Sequence, residues 1–117
     1  MNSEELKEKT KRFAIDIIKF VQTLSKSDET RILYRQLIKS STSVAANYRA
    51  ACRARSKNEF YSKICTVIEE CDESLFWLEL INETDLSSGE LLQHFIKEAT
   101  ELTQIFSSSR KTIKLKL

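Results

Sequence analysis

The chain contains no proline and a single glycine, Gly89, so the two residues that most often interrupt helices and strands are nearly absent. No apolar run approaches the roughly 18 residues that a membrane-spanning helix needs. Residues 1–13 carry charges of both signs and lack the apolar stretch of a signal peptide. The three cysteines are odd in number and irregularly spaced, which predicts reduced thiols in a cytoplasmic protein rather than a disulfide framework.

Apolar residues recur at spacings of three and four in four segments, which is typical of helices packed in a bundle. At 117 residues, the length predicts one domain, residues 1–117. The predicted helices cover residues 3–25, 28–55, 57–82 and 88–109, and residues 110–117 form a basic tail that we expect to be frayed or partner-dependent. Ser27 or Asp28, and the pairs Ser56–Glu59 and Ser87–Glu90, are the predicted helix caps.

Short connections between consecutive helices make neighbouring helices antiparallel. The predicted fold class is therefore all-α, an antiparallel up-down-up-down four-helix bundle. The core positions expected on the fourth helix are Leu91, Phe95, Ala99, Leu102 and Phe106.

The segment from Ser40 to Phe60 begins with many small residues and continues with several arginines. It could be a flexible linker, a nucleic-acid-binding arm or a helix. Serine is only mildly unfavourable inside helices, and small side chains allow a neighbouring helix to approach closely. We therefore interpret its first part as a closely packed helix.

Basic residues on the second predicted helix fall within an arc of about 80°. We call them the basic stripe: Arg31, Arg35, Lys39, Arg49 and Arg53. Charge is also segregated along the chain, because residues 31–63 carry eight basic and one acidic side chain, whereas residues 64–101 carry one basic and ten acidic. Two interpretations remain open: a solvated face that pairs with acidic helix three or with another subunit, and a phosphate-binding surface.

The third predicted helix carries large apolar residues outside its core-facing positions, namely Phe76, Trp77 and Leu80. Such residues widen the core or contact another chain, and we expect an oligomer interface here. Asn47 and Glu70 lie at the edges of apolar faces, and we expect both to be largely buried and hydrogen-bonded.

No residue set indicates catalysis or a bound cofactor. His94 is the only histidine and has no partner at metal-ligand spacing. A di-iron carboxylate bundle needs a Glu-x-x-His pair on each of two helices, which one histidine cannot supply. A glycine-rich phosphate loop needs more than Gly89. We therefore predict no enzyme activity, no metal, no cofactor and no small-molecule substrate.

Two segments resemble the family named after proteins encoded in intervening sequences of bacterial 23S rRNA genes. The resemblance covers residues 36–81 and departs from the family pattern at Ala50 and Glu69. The matching residues are Ser43, Ala46, Asn47, Ala51, Arg53, Ala54, Ser56, Glu59 and Phe60, followed by Glu70, Glu73, Trp77, Leu78 and Leu80.

The resemblance implies a four-helix bundle, and several members of this family assemble as ring-shaped pentamers. A similar bundle is the accessory protein of diversity-generating retroelements, which binds a reverse transcriptase and nucleic acid. We therefore expect a non-enzymatic homo-oligomer, with five subunits, that acts as a nucleic-acid-associated scaffold contacting RNA or DNA through the basic stripe. The alternative is a protein-interaction module without nucleic-acid binding.

Overall fold

The computed structural model describes residues 1–87 and 89–117, and it contains four long helices. They are α1 (Ser3–Gln22), α2 (Asp28–Cys52), α3 (Lys57–Glu83) and α4 (Glu90–Lys114). The described residues contain no strand, and together the helices form a bundle that measures 46 × 21 × 20 Å. The predicted fold class is confirmed. Among the described residues, no helix combines the length and the apolar character needed to cross a membrane.

Each helix packs against its neighbours in the chain, α1 against α2, α2 against α3, and α3 against α4. The approach of α1 to α4 depends on large side chains. The ring of Phe95 on α4 lies 6.5 Å from that of Phe13 and 5.2 Å from that of Phe20, both on α1. Tyr48 on α2 contacts Phe106 on α4, with ring centres 5.0 Å apart. These aromatic contacts close the core, in which Phe13, Phe95 and Phe106 are fully buried.

The first three helices begin at caps that satisfy backbone N–H groups left free by the first turn. Asn2 and Ser27 each form a reciprocal capping box, with Glu5 and Thr30. Ser56 accepts from the N–H of Glu59 at 3.0 Å, as the sequence predicts. The Glu59 carboxylate accepts from the Arg55 N–H, at 3.3 Å, instead of the Ser56 N–H.

The cap predicted for α4 at Ser87 and Glu90 is wrong. The cap residue is Gly89, and none of the side chains that the structure describes caps this helix. Gly89 has a φ of 104°, a conformation that residues with a Cβ rarely adopt. The predicted start at residue 88 falls on Ser88, which lies outside the described residues.

Helix ends also differ from the prediction. α1 ends three residues early, since Thr23 and Leu24 donate to carbonyls only three residues back, which tightens the last turn. α2 ends at Cys52 rather than residue 55 for the same reason, with Arg53 and Ala54 bonded to Ala50 and Ala51.

α4, in contrast, continues to Lys114, so most of the predicted tail is helical. Its last turns lie beside the beginning of α3, where Ile113 and Thr112 share a groove with Phe60. The alternating polar and apolar residues of this segment therefore belong to a helix, and contact with α3 supports this end of it.

Leu92, not Leu91, faces the core: Leu92 is 0% exposed and Leu91 is 54% exposed. The other four expected core positions of α4 are buried. Leu92 lies three residues before Phe95, and Leu91 lies four residues before it. Both spacings occur on one face of a helix, so the sequence pattern fits either leucine.

These adjacent leucines provide a matched test of the register of α4. We expect Leu92→Ala to lower the free energy of unfolding by about 2–5 kcal/mol, the usual cost of removing a buried leucine side chain. Leu91→Ala, the control, removes the same atoms from an exposed position and should cost less than about 1 kcal/mol. Chemical denaturation of both variants measures the difference, and equal losses would show that this register is incorrect.

Candidate functional site

The basic stripe occupies one exposed face of α2. All five of its side chains are exposed. Only Arg31 forms an ion pair within 4.0 Å among the described residues, with Asp28 at 3.7 Å. From Arg31 to Arg53 the helix rises about 33 Å, close to the 34–36 Å of one turn of duplex DNA.

The buried side of α2 contacts α3 through hydroxyl groups. Ser74 on α3 donates to Ser40 on α2 at 2.9 Å, and Ser40 donates to the carbonyl of Leu37 at 3.2 Å. Both serines are buried, and a direct bond between two such short side chains requires the helix backbones to lie close together. The small residues of α2 thus pack closely, as the sequence predicts.

Beside this contact lies a row of polar residues that we call the polar furrow: Lys39, Ser43 and Asn47 on α2, and Glu70 and Glu73 on α3. Asn47 donates to the hydroxyl and to the carbonyl of Ser43, at 2.8 and 2.9 Å. Both bonds lie within α2. The expected burial of Asn47 and Glu70 is only partial in the single chain, since each keeps contact with solvent.

Glu70 occupies an unfavourable position for a carboxylate. Partial burial raises its pKa most, and the charge of Glu73 raises it further. Lys39 and the Ser43 hydroxyl lower the pKa without cancelling these effects. The polar furrow therefore holds a carboxylate that binds its proton more tightly in the folded chain than in the unfolded chain.

The predicted interface residues of α3 differ in exposure. Phe76 is 50% exposed, and its ring meets that of Trp77 edge-on at 5.0 Å. Trp77 is half-buried against the core, and its indole N–H donates to Glu73 at 3.3 Å. Leu80 is also half-buried. Trp77 thus connects the core to the polar furrow, whereas Phe76 faces outward.

Sequence reasoning missed a groove between α1 and α2 with a volume of about 450 Å³. Its floor is apolar, with Ile15 and Ile18 from α1 and Ala45 and Ala46 from α2. Arg49 and charged residues of α1 form its rim. Ile15 and Ile18, three residues apart and outside the main apolar face of α1, were the signal for this second apolar strip.

Groups capable of covalent or metal chemistry are dispersed. The part of the chain described contains no cluster of three or more histidine, cysteine, aspartate or glutamate residues suited to a metal ion. Burial, with the charges of Glu70 and Asp72, raises the pKa of the Cys71 thiol to about 12, so this thiol is protonated at neutral pH. His94 is exposed, and its Nε2 atom lies 3.0 Å from Oε2 of Glu98.

A model of the 23S rRNA-intervening sequence protein family matches residues 3–108. The chain belongs to this family. A crystal structure from Bacteroides thetaiotaomicron, of a protein of unknown function from the S23 ribosomal protein family, is 28% identical in sequence. The similarity covers 90% of this chain and 97% of that chain, with a TM-score of 0.82. No curated protein matches the chain.

Neither the family description nor the related crystal structure names a ligand or a reaction. The polar furrow contains several of the residues on which the sequence resemblance rests, namely Ser43, Asn47, Glu70, Glu73 and, at its end, Trp77. These residues are widely separated in sequence and are brought together where α2 meets α3. In this family member they form one continuous surface beside the basic stripe.

The raised pKa of Glu70 predicts a pH-dependent stability change. Because the folded chain binds this proton more tightly than the unfolded chain, ionisation of Glu70 lowers stability as the pH rises. Glu70→Gln should therefore be more stable than the wild type at pH 7. The gain should disappear below about pH 4, where the carboxyl is protonated in both states.

Urea denaturation between about pH 3 and pH 8 measures this difference. Glu79→Gln on the exposed face of α3 is the matched control, and its effect should not follow the same pH profile. A Glu70→Gln variant whose advantage grows as the pH falls would contradict the assignment.

Proposed function

We propose that this protein is a non-enzymatic accessory or scaffold protein of the cytoplasm that binds the phosphate backbone of nucleic acid through the basic stripe. One observation carries the proposal: four cations lie exposed along the rigid helix α2 and a fifth, Arg53, lies exposed at its C-cap, and four of the five have no ion pair among the described residues. Unpaired cations at fixed positions can displace condensed counterions from a duplex, which supplies most of sequence-independent affinity.

The shape of the stripe also favours backbone contact over base reading. No aromatic residue lies within the stripe to stack on bases, and the helix is packed on two sides by α1 and α3. The alternative function is a protein-interaction module, in which the stripe pairs with an acidic protein surface. The two functions differ in whether the chain binds nucleic acid at low salt.

Charge reversal on the stripe tests the proposal. Arg31→Glu, Arg35→Glu and Arg49→Glu together should abolish binding to a 20-base-pair duplex of DNA or RNA. For the wild type, log K should fall with log salt by about 0.9 for each phosphate neutralised on DNA. Fluorescence anisotropy across a salt series measures both.

The matched control reverses three exposed cations outside the stripe, Arg12, Lys19 and Lys97, and should retain much of the binding. Duplex binding that survives both high salt and the stripe variant would refute the proposal. Absence of wild-type binding at low salt would favour the protein-interaction alternative.

A second proposal is that the chain assembles as a homo-oligomer, and the family resemblance favours a pentamer. The supporting observation is the half-exposed Phe76 ring, which lies on the acidic helix α3 and is supported by Trp77. An acidic face around an apolar ring suits contact with the basic helix α2 of another copy. Contacts between two different faces close into rings when the rotation allows.

Phe76→Ser should weaken this assembly at least tenfold, because full burial of a phenylalanine contributes about 1.5–3 kcal/mol. Leu91→Ser is the matched control, since Leu91 is 54% exposed and lies on α4, outside the proposed α2–α3 contact. Light scattering over a micromolar concentration series gives the mass of each variant. A monomeric wild type would refute the assembly, and a stable dimer would retain an interface but exclude the ring.

A further inference from the structure

We propose that the phosphate-binding surface continues beyond α2 around one end of the bundle, so that the protein holds a nucleic-acid duplex mainly by this end. The inference rests on the proposed function and adds residues of α3 and α4 to it. We call this surface the basic end. It comprises the end of α2, the following loop, the beginning of α3 and the end of α4, with Arg49, Arg53, Arg55, Lys57, Lys63, Arg110, Lys111 and Lys114.

Contacts between the helices place these segments side by side. Arg49 and Arg53 of the stripe line the same depression as Lys63 of α3. On the other side of α3, Phe60 shares a groove with Thr112 and Ile113 of α4. The beginning of α3 therefore lies between the stripe and the end of α4, which places the cations of these three segments at the same end of the bundle.

The cations of α4 are held on ordered helix. The helix continues to Lys114, and the half-buried Ile113 beside Phe60 supports its last turns. Side chains on an ordered backbone lose less conformational entropy on binding than side chains on a frayed tail. The segment that the sequence indicated as a tail thus becomes a fixed part of the surface.

Few negative charges oppose these cations. Between residues 49 and 63 the one acid is Glu59, which already accepts from the Arg55 backbone and lies 4.0 Å from its guanidinium. The acids at the start of α1, Glu4, Glu5 and Glu8, share this end of the bundle. They belong to α1, which packs against α2 and α4 and lies across the bundle from α3, and Glu4 and Glu8 line the α1–α2 groove together with Arg49. They therefore restrict a polyanion to the side formed by α2, α3 and α4.

The opposite end of the 46 Å bundle is acidic. It includes the start of α2, the end of α3 and the start of α4, with Asp28, Glu29, Glu79, Glu83, Asp85 and Glu90. Arg31, at the α2 end of the stripe nearest to these acids, is already paired with Asp28. The molecule is thus a charged rod with a positive end and a negative end, and a polyanion is attracted to the positive end.

The helix dipole and an acidic protein partner each account less well for these cations than a duplex does. Basic residues in a last turn interact favourably with the helix dipole, but this accounts only for Arg49 of α2 and for Lys111 and Lys114 of α4. An acidic protein could also bind a positive surface. A duplex suits the arrangement better, because it carries one charge for every 1.7 Å or so of its axis and can contact cations from three elements at once.

The test uses the full chain, with two changes on α4 outside the stripe. Lys111→Gln with Lys114→Gln removes two cations, and the matched control, Arg12→Gln with Lys97→Gln, removes two exposed cations elsewhere. For a 20-base-pair DNA duplex, the slope of log K against log salt should become less steep by up to about 1.8 in the α4 variant. The control should keep the wild-type slope.

Circular dichroism verifies that the α4 variant remains fully helical. A second pair, Arg55→Gln in the α2–α3 loop with Lys57→Gln at the start of α3, should reduce the slope in the same way and does not depend on α4.

The possible outcomes separate the two proposals. Wild-type slopes in both variants, with binding still lost in the stripe variant, would overturn the basic end and leave the proposed function standing. A wild type that does not bind the duplex at low salt refutes the proposed function and the basic end together. Binding of polyglutamate in place of the duplex would assign this end to an acidic protein and overturn the inference.

Discussion

The close contact between α2 and α3 is the constraint on which the other features of this bundle depend. The buried Ser40–Ser74 hydrogen bond, at 2.9 Å, holds two short side chains together across the helix interface. A larger residue at either position would separate the helices and break this bond, although the remaining hydroxyl would keep its partner on the same helix, the Leu37 carbonyl for Ser40 or the Glu70 carbonyl for Ser74. With the helices this close, Ser43, Asn47 and Glu70 are drawn into the seam and lose part of their hydration. The raised pKa of Glu70 is a consequence of that approach.

The same contact determines how charge is distributed on the surface. The basic face of α2 and the acidic face of α3 belong to adjacent helices, yet ion pairs within 4.0 Å among the described residues join neighbours on the same helix or helix cap. Exposed pairs of this kind contribute little to stability, typically about 0–1 kcal/mol. The segregated charge therefore does little for folding of the single chain, which is the physical reason to expect a charged partner.

Much of this arrangement is predictable from sequence, because helical spacing and caps are local signals. The exposed basic stripe and the buried positions Phe95, Ala99, Leu102 and Phe106 of α4 follow from the period of 3.6 residues. The register at the start of α4 does not, because Leu91 and Leu92 both fit the pattern and the turn at Gly89 decides between them. The helical end of α4 was also missed, since its support comes from Phe60, which is distant in sequence. The α1–α2 groove likewise depends on how two helices meet.

The positions of the candidate surfaces have a consequence for how binding and assembly interact. If the basic helix α2 of one copy packs against the acidic α3 of the next, nucleic acid and the neighbouring copy compete for the stripe, and each must weaken the other by the same factor. The basic end is outside this competition if Lys57, Arg110, Lys111 and Lys114 do not take part in the contact between α2 of one copy and α3 of the next. A ring of copies would then present several basic ends to one polyanion. Its overall affinity would exceed that of a single chain through effective concentration alone. Assembly would in this way favour contact through the end of the bundle over contact through the stripe.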